Sequence, residues 1–215
     1  MEEIKVGEIK AHSIMLICPE VEISYDVDDE DSLTDTIESL RCDPNIRDIA
    51  LGIVPSINRA FSLIEKRGGT RKKSKTLRLE ALEKIGRRSR VPLVSISPDI
   101  LFVESIYFEN GEKIPFDVEC DDEIYIHSQK NGEYTFIYST RLKRLTEATS
   151  DNEDIDLDEG IAEIIPYFVK SELIASENSE ESNVSRLLFD GILKELTAIS
   201  RGSTNQVVDT VYFFE

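Results

Sequence analysis

His12 and His127 are the only histidines of this chain, and Cys18, Cys42 and Cys120 are its only cysteines. Those few side chains limit the chemistry open to it. A nucleophile activated by histidine needs nucleophile, base and orienting group within reach of one another. Neither histidine is flanked in sequence by candidate partners, and the Gly-x-Ser-x-Gly and His-Glu-x-x-His patterns do not occur. His127 alternates with Tyr125, as in a strand, and reads as a half-exposed sheet residue. The cysteines are widely spaced with no Cys-x-x-Cys pair, so they read as three buried, reduced thiols and not as a zinc or redox centre. With 43 Asp and Glu residues, paired carboxylates carry no specificity. The chain therefore reads as no enzyme, with no catalytic residue, metal or cofactor.

Two denser patterns need testing. Asp154-x-Asp156-x-Asp158-x-Gly160 resembles the start of a calcium loop. Such a loop needs glycine at its sixth position and a bidentate glutamate at its twelfth, and here those places hold Glu159 and Ile165. A solvated acidic loop capping the following helix is the simpler reading. The second pattern is the one basic island, KRGGTRKKSKTLR at residues 66–78. It lacks the spacing of a phosphate-cradling loop. Lys66, Arg67, Arg71, Lys72, Lys73 and Lys75 could touch DNA phosphates or meet an acidic face of a neighbouring subunit. The plainest reading is an exposed, mobile connection.

What positions these residues is a framework of helices around a β-module. Val6, Ile9, Leu16 and Ile17 can share a helical face that ends at Cys18-Pro19. An acidic connection covers residues 20–31. Ser32-Leu33-Thr34-Asp35 then opens a short helix with Leu33, Ile37 and Leu40 inward. Asp43-Pro44 supplies an N-cap and a first-turn proline for a strong helix carrying Ile46, Ile49, Ile53, Ile57, Ala60 and Ile64. Pro55 should kink that helix, and Gly68-Gly69 should end it.

Residues 76–86 are ambiguous between helix and strand. From Val91 to Thr140 the hydrophobic period is two, with candidate strands at 91–97, 101–109, 113–118, 123–128 and 133–140. Asn110-Gly111 and Asn131-Gly132 read as hairpin turns. After an edge-forming strand and the acidic loop come two amphipathic helices, near 157–176 and 181–200. The first carries Leu157, Ile161, Ile164, Ile165, Phe168, Val169 and Leu173. The second carries Val184, Leu187, Leu188, Ile192, Leu196 and Ile199. A tether, Arg201 to Gln206, leads to Val207–Phe214, a run of high β-propensity broken only by Asp209. Such a strand either pairs with this protein's own sheet or is an arm that docks on another chain, and in the second case Val207, Val208, Val211, Tyr212, Phe213 and Phe214 are the candidate partner-binding residues.

The whole is thus expected to be α+β: an antiparallel helical bundle from residues 1–75 and 145–202, a small antiparallel β-module at 76–144, and an extended arm at 203–215. The 215 residues suffice for a substantial core, and no apolar run reaches the length of a membrane helix. The start Met1-Glu2-Glu3 lacks the charged n-region of a secretory signal, so a cytosolic origin is expected. A formal charge of −18 argues against wrapping nucleic acid, whose affinity comes from neutralising phosphates. It suits a surface that DNA must pass without sticking, and equally it suits simple solubility.

The pattern of a β-module ending in Tyr-x-Phe-Ile-Tyr, an acidic loop, and a helix with Ile165-Pro166-Tyr167-Phe168-Val169 before a closing helix resembles the head-to-tail adaptor proteins of tailed bacteriophages. The resemblance covers roughly residues 40–200 and is one of element order. It implies a structural virion protein of the neck, assembled in the host cytoplasm as a ring of about twelve copies. That ring would join the portal to tail or neck proteins and continue the channel through which double-stranded DNA passes. C-terminal extensions in that family commonly reach the portal, which points to 207–214 as an arm. The rival reading is a nucleic-acid-binding regulatory module using residues 66–78.

Overall fold

The computed structural model describes residues 4–21, 23, 38, 42, 44, 46–79, 83–85, 88–120 and 122–202. The chain is a mixture of helices and two small antiparallel sheets, and it divides into two compact units. The first unit comprises residues 1–69, 145–155 and 159–215, and the second comprises 70–144 with 156–158.

Helices dominate the first unit: α1 (Val6–Ile17), α2 (Arg47–Lys66), α3 (Glu159–Ala162), α4 (Ile165–Leu173) and α5 (Ser179–Gly202). α4 is the hub, packing against α1, α2 and α5. Its Ile165, Phe168 and Val169 are buried along with Ile53, Ile57, Phe61 and Ile64 of α2 and Val6, Ile9 and Ile14 of α1. α2 begins at Arg47 and not at Pro44, and no side chain caps it. It runs through Pro55 without a break. Its end is a Schellman motif: Gly68 takes φ +69°, its N–H donates to the Glu65 carbonyl, and the Gly69 N–H donates to that of Ile64. Asn58 then ties α2 to the returning chain, its amide donating to the Leu145 carbonyl at 2.8 Å and its carbonyl accepting the Leu145 N–H at 2.9 Å.

The helix expected over 157–176 is split. Pro166 has no N–H and its ring crowds the carbonyl four residues back, so the chain turns at 163–164 and restarts as α4. Asn178 caps the start of α5, its side-chain carbonyl accepting the Glu181 N–H while its amide donates to the Glu181 carboxylate. α5 continues to Gly202, past the expected start of the tether at Arg201. Cys18 is buried, but Cys42 is exposed, against the expectation of three buried thiols. The short helix expected near Leu33, Ile37 and Leu40 and the strand at 207–214 lie outside the described residues.

The second unit holds a three-stranded sheet in the order β1-β7-β4, from Lys72–Leu79, Gly132–Thr140 and Ile100–Phe108. It also holds a four-stranded sheet in the order β2-β3-β6-β5, from Glu83–Ile85, Arg88–Pro92, Glu123–Ile126 and Phe116–Cys120. One apolar cluster draws on both sheets, with Val91, Ile124 and Ile126 from one and Val103, Ile106, Tyr134, Phe136 and Tyr138 from the other.

Several expectations are corrected here. β7 is the central strand of its sheet and not an edge, because the basic island supplies a further strand, β1, along its whole length. Residues 93–95 form a 3-10 turn after β3 and do not extend a strand to residue 97. β5 starts at Phe116, three residues later than expected. Asn110-Gly111 does make a hairpin: the Gly111 N–H donates to the Phe108 carbonyl, Gly111 takes φ +80°, and Tyr107 bridges Lys113. Asn131-Gly132 does not. β6 pairs with β3 and β5, whereas β7 pairs with β1 and β4, so this dipeptide carries the chain from one sheet to the other. A type I′ turn needs positive φ at both central residues, which neither Asn131 nor Asn110 takes. The turn at 110–111 is closed instead by the backbone bonds from the Phe108 N–H to the Glu112 carbonyl and from the Ile114 N–H to the Ile106 carbonyl. Gly132 is held there for space, since an added Cβ would sit 2.7 Å from the Phe108 ring.

Candidate functional site

Three surfaces gather the side chains singled out by type and spacing. The first is β1. Its register sets Lys73, Lys75 and Leu77 opposite Tyr138, Phe136 and Tyr134. The leucine tucks against the apolar cluster while the lysine heads reach solvent. The cations are not left waiting for phosphate. Lys72 pairs with Glu104 at 2.7 Å, Arg71 with Asp158 at 3.3 Å, and Lys73 with Asp156. The Lys75 ammonium donates to the carbonyls of Ser95 and Ile96 at 3.0 and 2.8 Å. Arg67 lies in the other unit and pairs with Asp190 at 2.9 Å, while Lys66 is exposed. The acidic loop thus holds the basic strand through Asp156 and Asp158. The island is structured as β1 from Lys72 onward and is no loose connection there.

The second surface is the polar side of the smaller strands. Across β3, β6 and β5, Arg90, Tyr125 and Asp117 stand in one row, since Arg90 pairs with Tyr125 and Tyr125 with Asp117. The His127 Nε2–H donates to Asp117 Oδ2 at 2.6 Å, and Arg88 reaches the same oxygen at 3.2 Å. Arg88 also lies over the Tyr125 ring, 5.3 Å from its centre, and Arg90 pairs with Glu123. Sequence spacing hid this group because its members sit on three strands. The hydrogen bond from His127 lowers the Asp117 carboxyl below its usual range, with the charges of His127 and Arg88 acting in the same direction.

A depressed carboxyl stabilises the fold above its unfolded value, about 3.9, and that contribution disappears as pH falls through the lower folded value. Both partners are exposed, so the contribution belongs with exposed ion pairs, about 0.2–1 kcal/mol. Asp117→Asn is expected to shallow the fall of melting temperature below about pH 4 and to leave the neutral-pH melt within a few degrees. An acid limb identical to that of the parent would remove the pair from the stability of the sheet. With Arg88 shared between Asp117 and the Tyr125 ring and Arg90 paired with Glu123, the cluster reads as a surface ladder.

The third surface is on α5, and it reverses the sequence reading. The face packed inward carries Ser182, Ser185, Phe189, Leu193 and Thr197, all buried. Ser182 donates to the Ser171 carbonyl at 2.7 Å, and Phe189 meets Phe168 with ring centres 5.1 Å apart. Arg186 stacks on the other side of this seam, 4.3 Å from the centre of the Phe168 ring. The opposite face carries Val184, Leu187 and Leu188, which are 53 %, 71 % and 44 % exposed. Ile192 and Leu196, expected inside with them, are half-buried flanks. α5 is thus apolar on two sides, of which the described fold covers one.

No protein-family model matches this chain, and a search of curated proteins finds no match. Among the described residues, no helix is long and apolar enough to cross a membrane.

Proposed function

We propose that this chain is a structural adaptor of a tailed-phage neck, a ring-forming protein that joins portal to tail and continues the DNA channel. It would do so with no catalytic residue and no cofactor. Its helices would form the antiparallel bundle that carries the β-module, and its copies, portal and tail or neck proteins would be its partners. The observation that carries the reading is the outward face of α5. A helix with a packed apolar side and a second apolar side in solvent is suited to assembly, because contiguous exposed apolar surface marks interaction sites. The portal and the neck come from the resemblance of residues 40–200 alone.

The nucleic-acid reading has less support, since Arg71, Lys72 and Lys73 already have carboxylate partners inside their own unit. A charge of −18 per copy opposes self-assembly without a template at low salt. Sedimentation velocity of the purified chain is therefore expected to show a monomer or weak, salt-promoted association. A stable ring of the isolated protein at low salt would overturn the templated mode of assembly. Tight, salt-sensitive binding to duplex DNA by that monomer would favour the rival instead.

A further inference from the structure

We propose that the open edge of β5 is a strand-addition site, taken by an extended segment of another protein that carries a lysine or arginine between two apolar residues. The site lies in the second unit and makes no use of α5, so it stands or falls apart from the adaptor reading. The hydrogen-bonding phase of the sheet shows which groups are open. The His127 N–H donates to the Pro115 carbonyl, and Asp117 is in register with Tyr125, so residues 115 and 117 turn their backbone groups toward β6. By the same alternation the N–H and C=O of Phe116 and Val118 point away from it. Among the described residues no backbone group meets them.

The strand that would meet them belongs to the other sheet. The turn at 110–111 pairs β4 with residues 112–114, as Tyr107 bridges Lys113 and the Ile114 N–H donates to the Ile106 carbonyl. Continued in that register, Glu104 would face Phe116 and Phe102 would face Val118. The pairing stops at Ile114, where the chain crosses to β6, and Phe102 and Val118 are left 37 % and 45 % exposed. Nor is the β5 edge guarded. β1, an edge of the other sheet, carries Lys72, Lys73, Lys75 and Arg78, whereas Phe116–Cys120 has no lysine or arginine. A bulge between Val118 and Cys120 limits the regular stretch to residues 116–118.

The rows that run across β3, β6 and β5 say what a further strand should hold. Val91, Ile124 and Val118 make one row, and Ser89, Ile126 and Phe116 another on the same face, so an apolar residue continues each. Between them, on the opposite face, the row of Arg90, Tyr125 and Asp117 ends on a carboxylate. His127 and Arg88 both use its Oδ2, and among the described residues nothing bonds Oδ1. A cation placed opposite Asp117 meets that oxygen, and opposite charges facing across a strand pair are favourable. A second copy of β5 fits badly. Setting Phe116 opposite Val118 of the copy places Asp117 opposite itself, and like charges there destabilise. The edge therefore suits an apolar–cation–apolar segment of a different protein, held by main-chain bonds to residues 116 and 118.

The test uses the full chain and a fluorescent peptide, Ser-Thr-Val-Lys-Val-Thr-Ser, with amide exchange followed by NMR. In the free protein the Phe116 and Val118 amides are expected to exchange fast and the Asp117 amide slowly. Added peptide should slow the first two. Glutamate in place of the peptide's lysine, or Asp117→Asn in the protein, should weaken binding several-fold. N-methylation of both peptide valines removes the donors that face Phe116 and Val118 and should abolish it. Phe116 and Val118 amides already protected in the free protein would show an edge covered by this chain itself, or by a second copy if the protection grows with protein concentration. Either overturns the proposal. So would an N-methylated or glutamate peptide that binds as tightly as the parent, an Asp117→Asn variant that binds unchanged, or no slowing at those two amides.

Discussion

Ile53→Asp is expected to abolish soluble folding, whereas Leu188→Asp is expected to melt within a few degrees of the parent. Ile53 is 2 % exposed on the inward side of α2, and the carboxylate would lose its hydration with no cation to meet it. That cost, together with the lost burial of isoleucine, is comparable to the entire stability of a typical domain, about 5–15 kcal/mol. Leu188 is 44 % exposed on the outward face of α5, where a charge stays in water and the change should lie within about 0.5 kcal/mol. Thermal melting by circular dichroism separates the two. If Leu188→Asp unfolds the chain as Ile53→Asp does, the orientation of α5 is wrong. If Ile53→Asp folds normally, the packing of α2 is wrong.

Lys10→Met is expected to cost about 3–5 kcal/mol, although it removes a charge and adds an apolar group. Lys10 and Asp151 are both buried and meet at 2.7 Å. Around them, the Gly7 N–H donates to the Asp151 carbonyl and the Ile155 N–H to that of Ile4, so the pair fastens α1 to residues 151–155. Removing the ammonium takes from the buried carboxylate the charge it meets at 2.7 Å. The double variant Lys10→Met, Asp151→Leu should recover most of the loss, because replacing both members of a buried ion pair by apolar residues is often close to neutral. Urea unfolding of the three variants tests this. A single variant no less stable than the parent would mean that water reaches Asp151.

The pattern of residues made the helices legible where one face was apolar and the other was not. α2 could be read from Ile53, Ile57, Ala60 and Ile64, and its end from Gly68-Gly69, since a Schellman motif is a local device. α5 could be located but not oriented. Its packed side is held by Phe189 and Leu193 with serine and threonine between them, so the richer stripe of Val184, Leu187 and Leu188 outscored the side that is buried.

The sheets failed for a different reason. Asn131-Gly132 carries a strong local hairpin signal, but strand pairing is decided by the apolar cluster that both sheets share. There Tyr134 and Phe136 place β7 between β1 and β4. β1 itself was hidden because KKSKTLR has little apolar content. Cations can occupy an edge strand when acids and carbonyls meet them, as Glu104, Asp156 and the Ser95 and Ile96 carbonyls meet Lys72, Lys73 and Lys75. Lysine on an edge also discourages pairing with other chains. The pairing of His127 with Asp117 depended on the same tertiary arrangement and carried no trace in local spacing.

The adaptor reading meets its most direct test in coexpression of this chain with the portal protein encoded in the same genome, followed by electron microscopy of the purified particles. The account predicts a ring of extra density stacked on one end of the portal, absent when residues 203–215 are deleted and weakened by Leu187→Asp. Portals that purify bare beside an unassociated, fully folded chain would contradict it.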